Sequence, residues 1–110
     1  MNEYPDTPFQ TWLEEHNACP AAREWVGART PKQAWTECER IDWMDWLSFH
    51  STGRYLRLSP EEGRATADMS ADAAAYATRV GVSAEWTART ARYAGYLLFF
   101  RKRPCPLELP

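Results

Sequence analysis

Apolar residues recur along this chain at helical spacing, in short stripes separated by proline, glycine and hydroxyl residues. Phe9, Trp12, Leu13 and His16 fall at i, i+3, i+4 and i+7, which is one face of a helix. Cys19, Ala22, Trp25 and Val26 repeat that spacing, with Pro20 in the first turn and Gly27 as terminator. Ala34, Trp35, Cys38 and Ile41 form a third stripe, and Trp43, Trp46, Leu47 and His50 a fourth. On one continuous helix the centres of the last two would lie about 130° apart, at ~100° per residue. The pattern therefore predicts a break near Arg40–Asp42, with Asp42 as the new N-cap, an inner face of Trp43, Trp46, Leu47 and His50, and Asp45 pointing away.

Residues 51–58 read as a loop carrying Tyr55, Leu56 and Leu58 inward. An alanine-rich helix then runs to about Val80, with Met69, Ala73, Tyr76 and Val80 on one side, and Gly81 ends it. Ser83 caps a last helix whose core stripe is Trp86, Tyr93, Leu97 and Phe100; Arg101-Lys102-Arg103 suits its C-terminus and Pro104 stops it. Three starts share one grammar: Thr7-Pro8-Phe9-Gln10, Thr30-Pro31-Lys32-Gln33 and Ser59-Pro60-Glu61-Glu62. In each, a hydroxyl caps orphan N–H groups, proline takes the first helical position, and Glu or Gln reaches back to the cap. No strand pattern of any length competes. The expected fold is all-α, a compact single-domain bundle of five or six helices over residues 1–104, with a flexible tail at 105–110.

Charge adds an asymmetry. Residues 1–50 carry nine acids against four bases, a balance of −5, while residues 51–110 carry nine bases against six acids, a balance of +3. The total of −2 gives the whole chain no nucleic-acid footprint. Three cysteines without framework spacing read as reduced thiols. The start of the chain lacks the basic and apolar pattern of a leader, and the run from Tyr96 to Phe100 is far below the roughly 20 residues of a membrane span. These points predict a cytoplasmic protein without a membrane partner.

The candidate chemistry is sparse. His16, Cys19, Cys38 and His50 have the donor types of a tetrahedral zinc site, but they lack compact spacing and occupy core-stripe positions, so the reading is no metal and no cofactor. There is no Gly-rich phosphate loop, nucleophile elbow or HExxH, and adjacent carboxylates such as Glu14/Glu15 diverge by about 100° on a helix. A non-enzymatic protein is expected. Two docking surfaces then compete. One is an acidic rim, Glu37, Glu39 and Asp45, around exposed edges of Met44 and Phe49, because aromatic and methionine side chains mark interface centres. The other is the basic last helix, with Arg89, Arg92, Phe99, Arg101, Lys102 and Arg103, which also carries the alternative reading of a nucleic-acid-binding or regulatory module. The last helix is apolar on every side near Phe99, so it is either central to a core or sealed by another chain, a homodimer included.

Within residues 18–47, Cys19, Ala22, Trp25-Val26, Thr30, Ala34-Trp35, Cys38, Arg40, Asp42-Trp43-Met44 and Trp46-Leu47 form a pattern. It resembles small phage-encoded helical proteins of unknown role and immunity proteins of bacterial toxin systems. The resemblance implies a binding protein of a host bacterial cytoplasm, with a host or phage protein as partner. It also implies an inhibitor of a host machine, as in anti-defence and anti-CRISPR proteins, and no catalytic residues to carry over.

Overall fold

The computed structural model describes residues 4–109; residues 1–3, which open the chain read above, and Pro110, which ends the expected tail, lie outside. The described residues form six helices and no strand: α1 (Pro8–Glu15), α2 (Pro20–Val26), α3 (Pro31–Glu37), α4 (Ile41–Thr52), α5 (Pro60–Val80) and α6 (Ala84–Arg101). The all-α expectation holds. The chain divides into two units, residues 1–56 with 104–110, and residues 57–103. The stretch expected as a loose tail thus groups with the first unit, where Cys105 Sγ lies 3.4 Å from the Leu107 carbonyl.

All three hydroxyl–proline starts behave as their chemistry requires. Thr7, Thr30 and Ser59 each accept from the backbone N–H three residues on. At Thr30 and Ser59 the Gln33 and Glu62 side chains accept from the cap's own N–H, completing capping boxes. Gln10 does not complete the box at Thr7, because its amide is used elsewhere. Its Nε2 donates to the carbonyls of Arg23 (2.9 Å) and Gly27 (3.0 Å), and its Oε1 accepts from Arg23 Nε at 3.2 Å. A buried polar side chain thereby ties α1 to the C-terminal end of α2. Gly27 sits there at φ 51°, a conformation that costs an L side chain strain.

The core of the first unit contains Phe9, Leu13, Val26, Ala34, Trp35, Cys38, Met44 and Leu47, all buried. The break before α4 falls where the phase slip predicts, but its N-cap is Arg40, without a side-chain cap bond; Asp42 lies in the first turn and pairs with Arg40. The inner face of α4 also differs from the expected stripe. Met44, Leu47 and Ser48 are buried, whereas Trp43 and Trp46 are half-buried and His50 is exposed. The helix is turned by about 100°, one residue's worth. Slender Met44 and small Ser48 fit inward, with the Ser48 hydroxyl donating to the Arg54 carbonyl at 2.7 Å, and the broad indoles move to the flank. Asp45 does not point away: its Oδ1 accepts from the Leu56 N–H at 2.7 Å. Tyr55, expected inward, is exposed and stacks on Phe49.

The second unit is a hairpin of α5 and α6. Its seam consists of small residues. Thr66, Ser70 and Ala77 of α5 and Gly95 of α6 are buried, and the Ser70 hydroxyl donates to the Ala88 carbonyl at 3.0 Å. A Cβ on Gly95 would lie 3.0 Å from Thr66 Cγ2, so the glycine is what lets the helices approach this closely. Large apolar side chains find no room in such a seam. Met69, Tyr76 and Val80, which share one side of α5, are exposed, as are Trp86 and Tyr93 of the expected α6 core stripe; only Phe100 of that stripe is buried.

Candidate functional site

The first unit contains a cavity of about 410 Å³. Its inner wall is core: Phe9, Leu13, Val26, Ala34, Trp35, Met44 and Leu47. Its mouth is aromatic and charged, with half-buried Trp25, Trp43 and Trp46 beside exposed Arg40 and Asp42. The size and apolar lining lie within the range of sites that take a small molecule or a partner side chain.

Local spacing builds the mouth. Arg40 is the N-cap of α4, three residues before Trp43, whereas Arg29 lies in the loop beyond Gly27, the C-cap of α2; each guanidinium lies over one indole. Arg29 Cζ lies 4.4 Å from the Trp25 centroid, and Arg40 Cζ lies 4.2 Å from that of Trp43. The two indoles stand 6.1 Å apart at 53°. Arg29 also donates to the Trp25 carbonyl and pairs with Glu37 at 3.3 Å. Arg40 grips Asp42 with both Nε (3.1 Å) and Nη2 (2.5 Å). That hydrogen bond first, and the nearby positive charge with it, hold the Asp42 carboxyl below its usual range. A second, more polar recess of about 470 Å³ shares Trp25, Arg40 and Trp43 with the cavity and is lined further by Arg29, Glu37 and Glu39.

Of the expected acidic surface, Glu37 and Glu39 are therefore placed beside the tryptophan pair. Met44 corrects the expectation: it is 2% exposed and lines the inner cavity, not a surface edge. Asp45 is half-buried and spent on Leu56. Phe49 is exposed but elsewhere, in a string of rings along α1 and α4. It stacks on Tyr55 at 4.6 Å and meets His50 edge-on at 5.6 Å. His50 packs on Trp46, Trp46 on Trp12, Trp12 on His16, and His16 meets His50 at 6.0 Å.

The structure brings His16 and His50 together but leaves the cysteines apart from them in role. Cys19 and Cys38 both line the cavity. Among the described residues no three His, Cys, Asp or Glu side chains are placed to hold a metal ion. Of the basic candidates, Arg92 is exposed and Arg101 half-buried. Arg89 pairs with Glu85, Arg103 with Glu62, and Lys102 lies over the half-buried Phe99 ring at 5.5 Å. Among the described residues no helix is long and apolar enough to cross a membrane.

Sequence reasoning missed Trp25, Arg29, Arg40 and Trp43 as a unit. The Arg40–Trp43 spacing at a helix start was such a signal; the Trp25–Arg29 pair was not, because Arg29 lies in the loop beyond the end of α2. Comparison with protein-family models, with curated proteins and with solved structures finds no match.

Proposed function

We propose that this chain is a non-enzymatic protein-binding module that receives an apolar side chain of its partner in the tryptophan-walled cavity of the first unit. The observation that carries this reading is the arrangement itself: an apolar cavity of about 410 Å³ opening between indoles, with Glu37, Glu39 and Asp42 set among Arg29 and Arg40. Interfaces concentrate affinity in a desolvated aromatic centre and use the charged rim for approach and specificity. Burying one partner side chain of leucine or phenylalanine size contributes about 1.5–3 kcal/mol.

The segment that resembles phage-encoded and immunity proteins, residues 18–47, also supplies most of the cavity wall, including Trp25, Trp35, Trp43 and Trp46. The partner class proposed is therefore a protein of a host machine, and the action is inhibition by occupancy. The test fills the cavity in place of deleting a wall. Ala22→Phe should keep helicity and melting temperature while abolishing capture of the partner, and Glu37→Lys with Glu39→Lys should slow association and alter its salt dependence. Normal binding by both variants, with loss of binding in Arg101→Glu/Arg103→Glu, would move the site to the basic helix and end the cavity reading.

A further inference from the structure

The α5 helix carries an uncovered stripe. Met69, Ala73, Tyr76 and Val80 lie on one side at spacings of four, three and four, and Tyr76 and Val80 are 58% and 52% exposed. The small-residue seam with α6 takes the adjacent face, so the hairpin's own packing leaves Met69, Tyr76 and Val80 outside and Ala73 half-buried. Along the stripe's flank stand Asp72 and Arg79, two turns apart on either side of Tyr76, with the Arg79 guanidinium 5.9 Å from the Tyr76 ring centroid.

We propose that α5 pairs antiparallel with α5 of a second copy of this chain, about a two-fold axis beside Tyr76. An antiparallel pairing centred between residues 75 and 76 sets position 72 against position 79 of the other copy, and position 69 against position 82. Asp72 then meets Arg79 twice, once on each side of the axis, and Met69 meets Val82, which is itself 56% exposed. The face is thus complementary to itself in charge and in apolar content, which an isologous contact requires. A lipid surface fits less well, because the remainder of α5 alternates Arg64, Asp68, Asp72 and Arg79 and lacks a lysine- and arginine-rich polar face.

Sedimentation velocity of the full chain over a wide concentration range, with circular dichroism as the folding control, tests the pairing. The wild type should reach twice its 12.7 kDa mass. Tyr76→Glu should weaken dimerisation about 30-fold or more with helicity unchanged. Asp72→Arg and Arg79→Asp should each weaken it, and the double exchange Asp72→Arg/Arg79→Asp should recover it, since the pair is then merely reversed. A wild type that stays monomeric at every concentration overturns the proposal, whether or not it binds vesicles of anionic phospholipid. A double exchange no better than the single variants overturns the antiparallel register.

Discussion

The Gln10 amide makes three hydrogen bonds at the junction of α1 and α2, and Gln10→Leu is expected to show their combined weight. The replacement fills the space but takes the Nε2 donor from the Gly27 carbonyl and one of two donors from the Arg23 carbonyl, which keeps the Gly27 N–H, at about 1 kcal/mol for each hydrogen bond lost. The urea midpoint should fall with an unchanged slope. Tryptophans give the contrast between burial and display. Trp35 is 3% exposed and Trp86 67%. Trp35→Ala should cost about 3–5 kcal/mol, and Trp86→Ala should stay within ~0.5 kcal/mol, as exposed sites do. Thiol chemistry follows the same logic. Cys19 is exposed and Cys38 buried, while burial pushes the half-buried Cys105 thiol above its ordinary value. Alkylation of the native chain should label Cys19 first and Cys38 only on unfolding; fast labelling at Cys38 would contradict its place in the core.

At the scale of elements, the α5 start is the best-determined feature. The Glu62 carboxyl is held below its usual range, first by the Ser59 N–H that donates to it and then by Arg103. A lowered folded value means that this contribution is present in full above the unfolded value and is lost as pH falls through the folded one. Glu62→Gln should therefore melt below wild type at neutral pH, with the gap closing on the acid side. In the seam, Gly95→Ala should lower stability in the wild type, because its new Cβ meets Thr66. In a Thr66→Ala background the same change should raise stability by about 1 kcal/mol, the helix preference of alanine over glycine. These elements show what the sequence made legible. Caps at Thr7, Thr30, Ser59 and Ser83 are local chemistry, fixed by residues three apart, and all four form. The buried faces of α4 and α6 differ from the expected stripes because apolar spacing marks a stripe without saying what lies opposite. Ser48 and Ser70 go inside because a carbonyl receives each hydroxyl, and the seam of α5 and α6 is too close for Met69, Tyr76 or Trp86.

For the whole molecule, charge follows the division into units. Acids outnumber bases ten to five in the first unit, giving −5, and bases outnumber acids eight to five in the second, giving +3. If the first unit's cavity is the docking site, rising salt should slow association with a basic partner more than it speeds dissociation, because rim charges act mainly on encounter; a salt effect confined to dissociation would speak against that site. The candidate site was half legible. Glu37 and Glu39 stood out through composition and line the polar recess beside Trp25 and Trp43. Met44 and Asp45 did not keep their expected places, since the turn of α4 buries one and ties the other to the Leu56 N–H of the following loop. The partition of tryptophans has an optical consequence. Five of the six lie in residues 1–56, and Trp86 alone lies in the α5–α6 hairpin. The far-ultraviolet signal, by contrast, draws more residues from that hairpin than from the four shorter helices together. A Trp86→Phe chain would therefore emit from the first unit only, and its cavity, walled by four of the remaining indoles, would report its own occupancy by quenching without any attached dye.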